Sequence, residues 1–187
     1  LTAAEKTMKK TMQFLEARPN HAQESMGVLL ANMGSLYLRR GQQAKAEEVL
    51  RKSRSILETV CGPGDLQAIR SRDNLAVSLV LQGKLRDARA LLEESIAVSK
   101  QPMSPDMAAT YVNLALVLTD LGDNPKAEGY YRLASSILPS THSDYPKVLF
   151  SLGRFYRTQK RWAESAEMYL KAAEAVDRKI AAGEDPG

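Results

Sequence analysis

Hydrophobic residues recur along the chain with helical spacing, and the helical stretches come in pairs. The spacing is clearest between Tyr111 and Leu121, where apolar residues lie three, one, three and three positions apart, as on one helix face. Ser104-Pro105-Asp106 is typical of the start of this helix, and Gly122-Asp123-Asn124-Pro125 of its end. A second helical stretch follows and ends near Pro139. The pattern predicts two helices joined by a tight turn.

This pair of helices recurs four times, and three positions in each copy identify it. A small residue follows an Asn/Ser–aliphatic pair, a turn residue comes seven positions later, and a second small residue comes twelve positions later. The first small residues are Gly34, Ala76, Ala115 and Gly153; the turn residues are Gly41, Gly83, Gly122 and Lys160; the second small residues are Ala46, Ala88, Ala127 and Ser165. The copies lie 42, 39 and 38 residues apart, which is typical of a helical solenoid.

The repeat spacing divides the chain and predicts its fold class. We expect an all-α, right-handed superhelical solenoid of antiparallel helix pairs, with about nine helices and no strand. The predicted divisions are the second helix of a truncated preceding repeat at 1–20, repeats at 21–64, 65–102, 103–141 and 142–182, and a tail at 183–187. Because Leu1 falls inside a repeat, we also expect the chain to be part of a longer protein.

The small residues have a physical role, because small side chains let two helices approach closely. We expect the first and second small residues of each repeat to face each other across the helix pair. Larger side chains such as Leu75 and Leu92 would fill the space around them. Trp162 and the tyrosines also fall at positions where two helices meet, so we expect these aromatic side chains to pack between helices.

The repeated positions resemble the tetratricopeptide repeat (TPR). The matching residues of the fourth repeat are Leu149, Leu152, Gly153, Tyr156, Trp162, Tyr169 and Ala172. Those of the third repeat are Tyr111, Leu114, Ala115, Gly122, Ala127, Tyr131, Ala134 and Pro139. The long period and the sequence Asn113-Leu114-Ala115 are similar to the kinesin light chain subgroup of TPR proteins. The resemblance covers residues 3–180 and implies a concave groove that binds extended peptides.

Asparagine recurs at a position that the resemblance places in this groove. Asn32, Asn74 and Asn113 occupy it in three successive repeats, and Ser151 occupies it in the fourth. An asparagine side chain has both a donor and an acceptor, so it can bind both backbone groups of an extended peptide. The alternative is that these side chains bind only neighbouring helices or water.

Charged residues surround the asparagines at further groove positions. The basic ones are Arg70, Lys147, Arg154 and Arg157. Such a face could bind acidic side chains, a C-terminal carboxylate or a phosphate, or it could simply be a solvated basic face. Asp73 and Asp120 fall nearer the middle, so we expect the groove to be mixed in charge.

These features predict a protein–protein interaction module, an adaptor or scaffold part of a larger protein, that binds an extended acidic or carboxylate-bearing peptide segment. One alternative is a structural assembly module that self-associates or forms a permanent complex through its outer face or its ends, near Leu1–Leu15 or Val176–Ile180. RNA binding through the basic fourth repeat is a weaker alternative. A one-base-per-repeat code needs variable polar residues paired with stacking side chains, and the repeats do not show that pattern.

Composition argues against several other classes. The formal net charge is only +4, with the basic excess confined to parts of the chain, which disfavours general binding to phosphate backbones. Cys61 is the one cysteine, and His21 and His142 fall in loops without other metal ligands nearby in the sequence. We therefore expect no enzyme activity, cofactor, metal or small-molecule substrate. No membrane span or targeting segment is visible, and we expect a cytoplasmic location.

The predicted close approach of paired helices can be tested at Ala88. Replacing Ala88 with leucine should overpack the contact between the two helices of the second repeat and lower the free energy of unfolding by roughly 1–3 kcal/mol. Urea denaturation followed by circular dichroism measures this loss. An unchanged unfolding midpoint would show that Ala88 does not face a tightly packed neighbour.

Overall fold

Helices account for most of the residues that the structure describes. A computed structural model of the chain describes residues 3–16, 22–181 and 183, and within them it has nine α-helices, one 3₁₀ turn at Pro105–Met107 and no strand. The helices are α1 (Ala3–Glu16), α2 (Gln23–Arg39), α3 (Gln43–Val60), α4 (Leu66–Val80), α5 (Leu85–Val98), α6 (Ala108–Asp120), α7 (Asn124–Ile137), α8 (Tyr145–Thr158) and α9 (Trp162–Ala181). The expected all-α fold of TPR-like helix pairs is confirmed.

The helices form two compact units, Leu1–Lys100 with α1–α5 and Gln101–Gly187 with α6–α9. In the first unit α2 pairs with α3 and α4 pairs with α5; in the second, α6 pairs with α7 and α8 pairs with α9. We call α2, α4, α6 and α8 the first helices and their partners the second helices. Helix α1 packs on α2 as a second helix of the same type, which agrees with the prediction of a lone helix there.

Tight left-handed turns join the first helix of each pair to the second. Gly41, Gly83 and Gly122 have φ values of 67°, 75° and 83°, which glycine adopts without steric cost. Lys160 occupies the same place in the fourth repeat with φ 59°, so a lysine accepts the left-handed conformation there. The four turn positions predicted from the sequence are thus confirmed.

The paired helices approach so closely that a single methyl group decides whether they fit. A Cβ atom added to Gly34 would lie 2.4 Å from Leu50 Cγ, and one added to Gly153 would lie 2.9 Å from Tyr169 Cε1. The alanines at the equivalent positions, Ala76 and Ala115, are completely buried. The second small residues are also buried, and Ser165 Oγ donates a 2.9 Å hydrogen bond to the Gly153 carbonyl oxygen. This hydrogen bond confirms the predicted contact between small residues in the fourth repeat, whereas at Gly34 the facing side chain is Leu50.

The prediction that Trp162 packs between helices is wrong. Trp162 begins α9 and is 63% exposed, whereas Tyr131 and Tyr156 are buried as expected. The preceding residue explains the difference, because the Arg161 guanidinium lies 4.4 Å from the centroid of the Tyr156 ring and covers it. The arginine, and not the neighbouring tryptophan, therefore packs on the Tyr156 ring.

A glutamate on a second helix links each of three repeats to the turn of the following one. Glu5 Oε2 lies 2.9 Å from Arg40 Nη1, and Glu128 Oε2 lies 2.6 Å from Arg161 Nη1. Glu47 Oε2 accepts hydrogen bonds from Gln82 Nε2 at 2.7 Å and Lys84 Nζ at 3.2 Å. These glutamates directly follow Ala4, Ala46 and Ala127 in the sequence. The link therefore recurs with the repeat, although the sequence analysis did not identify it.

The turn geometry predicts opposite effects for alanine at two glycines. Gly83→Ala forces alanine into the left-handed region and should lower the free energy of unfolding by about 1 kcal/mol. Gly129 lies within α7, where an added Cβ meets nothing within 4 Å, so Gly129→Ala should raise the free energy of unfolding by about 0.5–1 kcal/mol. Urea unfolding of both variants tests this; shifts of the same sign would contradict it.

The Glu47 link predicts a specific pH dependence. Hydrogen bonds, first from Arg51 and then from Gln82, lower the pKa of the Glu47 carboxyl from 4.5 to about 2. A carboxyl whose pKa is lower in the folded state stabilises the protein above its unfolded pKa, and that contribution is lost as the pH falls from about 4.5 to about 2. Glu47→Gln should cost about 1 kcal/mol at pH 7, and the cost should shrink across this window.

The neighbouring Glu48 provides the matched control. Its side chain is exposed and pairs only with Lys52 on the same helix, 2.7 Å away, so Glu48→Gln should change stability less at every pH. Thermal unfolding of both variants and the wild type between pH 7 and pH 3 measures the difference. A loss in Glu47→Gln that stays constant with pH would exclude the carboxylate as its cause.

Candidate functional site

The first helices of each unit leave one side open to solvent, because their opposite sides pack on the second helices. We call this exposed side the first-helix face; α2 and α4 form it in the first unit, and α6 and α8 form it in the second. The residues proposed from the sequence to bind peptides all belong to these four helices. Each unit therefore carries its own set of candidate residues.

In the first unit, the candidate residues lie on adjacent helices joined by a side-chain hydrogen bond. Asn74 Nδ2 of α4 donates to Ser35 Oγ of α2 over 3.2 Å, and the Ser35 hydroxyl donates in turn to the Ala31 carbonyl oxygen. Asn32 is exposed one turn before Ser35, and Arg70 is exposed one turn before Asn74. The bond to Ser35 fixes the orientation of the Asn74 amide, so one of its donors is used within the protein.

In the second unit, basic residues follow one side of α8. Lys147, Arg154 and Arg157 are exposed, and Ser151 lies half-buried between them. The Ser151 hydroxyl donates to the Lys147 carbonyl oxygen at 2.9 Å, one turn earlier in the same helix. Lys147 Nζ lies 3.4 Å from Asp144 Oδ1, but both side chains are more than half exposed and the pair is weak. On the adjacent first helix α6, Asn113 is half-buried.

Phe150 is a surface aromatic residue that the sequence analysis did not identify as part of the site. It lies between Lys147 and Arg154 on the exposed side of α8, is 53% exposed, and contacts Tyr169 with ring centroids 5.1 Å apart. Leu116 of α6 is also exposed. The helical spacing of the sequence could have identified Phe150 as exposed, because this residue falls outside the buried stripe of Leu149, Leu152 and Tyr156. A large apolar side chain among cations gives this face both apolar and charged contact surface.

The expectation that Asp73 faces the groove is wrong. Asp73 is only 7% exposed, and its Oδ1 accepts a 2.9 Å hydrogen bond from Ser95 Oγ of the paired helix α5. The residue precedes Asn74, and one step along a helix turns the side chain by about 100° toward the paired helix. Asp120, by contrast, is exposed at the end of α6. Of the two carboxylates expected near the middle of the site, only that of Asp120 is therefore at the surface.

Electrostatic effects around the α8 face are modest. Burial raises the pKa of the Tyr131 hydroxyl, and the nearby charge of Arg154 partly opposes that rise. Arg154 thus lies close to the second helix α7 while its side chain remains exposed.

The remaining chemically reactive residues are not gathered into a site. Cys61 ends α3, and burial raises the pKa of its thiol, which disfavours the reactive thiolate. His142 Nδ1 accepts a hydrogen bond from the Asp144 backbone N–H at 3.1 Å, and His21 lies outside the described residues. Across the described ranges, no group of three His, Cys, Asp or Glu side chains is placed to bind a metal ion. None of the helices described combines the length and apolar character of a membrane span.

The chain belongs to the tetratricopeptide repeat family. A family model described as "Tetratricopeptide repeat" matches residues 25–101 and 106–178, which together make up most of the chain. A search of curated protein sequences gave no match.

Solved structures share the same fold at low sequence identity. BtubC (BKLC) from P. vanneervenii is 17% identical with a TM-score of 0.77, over 98% of this chain and 75% of that one. The Rap conjugation gene regulator of plasmid pLS20, solved with the Phr* peptide, is 21% identical with a TM-score of 0.77, over 91% and 47%. TPR-like repeats of a Podosopora anserina protein described as a kinesin light chain are 21% identical with a TM-score of 0.64, over 81% and 74%. The likeness to kinesin light chain repeats expected from the sequence is thus confirmed.

Proposed function

We propose that this chain is a protein–protein interaction module that binds an extended acidic or carboxylate-bearing peptide on its first-helix face, as an adaptor or scaffold part of a larger protein. The observation that carries the proposal is the exposed side of α8, where Lys147, Arg154 and Arg157 surround the exposed Phe150. This combination suits a peptide that presents carboxylates beside an apolar residue. Arginine can bind a carboxylate through two parallel hydrogen bonds, and the phenylalanine ring can pack on the apolar residue.

The asparagines would hold the peptide backbone while the basic residues select acidic features. An extended peptide presents N–H and C=O groups that have no partners of their own, and one asparagine amide can bind both kinds. Asn32 and Asn74 lie on two first helices of the first unit and Asn113 on one of the second unit, and Ser35 orients the amide of Asn74. A side chain held in its binding orientation loses less conformational entropy when a peptide binds, which favours affinity. Arg70, one turn before Asn74, would add a cation in the first unit.

The Rap regulator supports peptide binding as the type of activity. It shares the fold of this chain and was solved in complex with the Phr* peptide. The acidic preference rests on the residues of this chain alone. The proposal assigns no catalytic step to any residue.

Peptide-array binding followed by fluorescence anisotropy tests the proposal. The probes are short extended peptides that carry glutamate or aspartate, each prepared with a free and with an amidated C-terminus. We expect micromolar binding that prefers acidic peptides, because ordering an extended peptide costs entropy. Arg154→Glu should weaken it by about tenfold, corresponding to about 1.4 kcal/mol. Asn74→Ala combined with Asn113→Ala should weaken binding of acidic and neutral peptides alike, because the amides contact backbone.

Arg178→Glu is the matched control for the charge reversal. Arg178 is an exposed arginine in the last turn of the second helix α9, away from the first-helix face, so its reversal should leave peptide affinity unchanged. Equal binding by wild type and Arg154→Glu would contradict the proposal. Loss of binding in both reversals, with steep salt dependence, would point to unspecific charge attraction or to a nucleic acid instead. Concentration-dependent dimerisation without peptide binding would favour the assembly alternative.

A further inference from the structure

An apolar groove lies over α2 between the helices α1 and α3, on the side of α2 that faces these two second helices. Its volume is about 750 Å³, within the range of about 300–1,000 Å³ typical of ligand-binding sites. Met26, Leu30, Met33 and Tyr37 form its floor along one stripe of α2. Leu30, Met33 and Tyr37 are buried, so Met26 and the walls carry most of the accessible apolar surface. Met12 of α1 and Val49 of α3 form opposite walls. This groove belongs to the first unit and is separate from the residues assigned to the first-helix face.

Charged side chains cross the equivalent space in other repeats. Over α4, Arg54 of α3 reaches Glu94 of α5, with 2.8 Å between Nη2 and Oε1. Beneath this pair, Arg72 of α4 is fully buried and pairs with Glu58. Over α8, a smaller space of about 330 Å³ is lined by polar groups that include Arg132 and Glu164. Relative to these two, the space over α2 stands out as wide, apolar and rich in methionine.

The rim of the groove is positively charged. Lys9 of α1 and Lys45 and Lys52 of α3 line it together with a single acid, Glu48. Glu48 pairs with Lys52 over 2.7 Å, whereas Lys9 and Lys45, on opposite walls, form no ion pair with any of the residues that the structure describes. Both of these side chains are exposed. A ligand that fits this site therefore has an apolar face between two negatively charged flanks.

We infer that this groove binds the apolar face of an amphipathic helix with acidic flanks, contributed by a partner protein. The floor stripe from Met26 to Tyr37 covers twelve residues, and the eleven steps between them span roughly 16 Å at 1.5 Å per residue, which matches about three turns of a bound helix. Helices that bind in grooves place apolar anchors at i, i+3 or i+4, and i+7, so three turns supply a full set. Methionine side chains adapt their shape to different anchors. Lys9 and Lys45 would pair with acids on either flank.

A designed helical peptide tests this inference on the intact chain. The probe carries leucines at i, i+4 and i+7 with glutamates on both flanks. One comparison peptide has the leucine order scrambled, and another has lysine in place of glutamate. By fluorescence anisotropy we expect micromolar binding of the probe and binding at least tenfold weaker for both comparison peptides. Equal binding of the probe and the scrambled peptide would overturn the inference, as would the absence of probe binding.

Variants on the rim locate the binding. Lys9→Glu combined with Lys45→Glu should weaken probe binding at least tenfold without disturbing the apolar floor. Lys10→Glu is the matched control, because Lys10 is exposed on α1 but does not line the groove, and it should change affinity less than threefold. An unchanged affinity in the double variant would overturn the inference. So would binding of a fatty-acid probe with no peptide binding, or dimerisation of the chain that is lost in the double variant. Arg154→Glu should leave probe binding intact, so this test and that of the first-helix face can fail separately.

Discussion

The steric contact between paired helices is the constraint on which the rest of the molecule depends. At Gly34 and Gly153 there is no space for even one more carbon atom, and alanine fills the same place in the other two repeats. Contact this close fixes which side of each first helix is buried. The opposite side is left to solvent, where side chains can change without a packing cost. The candidate peptide-binding residues lie there for that reason.

The sequence predicted the features that depend on this steric contact and missed those that depend on particular neighbours. The period, the turns and the small residues could be recognised because few residue types fit them, although Lys160 shows that one turn tolerates lysine. Trp162 and Asp73 were misplaced because their exposure depends on competing groups, Arg161 at one and Ser95 at the other. Phe150 was missed because an exposed aromatic residue is recognised only once the buried stripe beside it is known. The side chains that a peptide would contact likewise cannot be predicted from one helix alone, because they depend on how neighbouring helices are arranged.

Variation between repeats allows the same scaffold to offer different surfaces. The space between neighbouring second helices contains methionines over α2 and an arginine–glutamate network over α4. The ion pairs over α4 hold the flanking helices to each other, whereas the space over α2 remains an open apolar groove. A repeat protein can in this way hold one pair of neighbours together and keep another open to a ligand.

The recurrent glutamates have a consequence for cooperativity. In a linear array each repeat contacts only its neighbours, so cooperative unfolding depends on the free energy of the interface between repeats relative to that within each repeat. Glu47 and Glu128 reach the turn of the following repeat, whereas the small-residue contacts within each pair contain no carboxylate. Protonation of these two glutamates therefore weakens contacts between repeats. Within each unit, the length over which repeats unfold together thus depends in part on the charge of a few carboxylates.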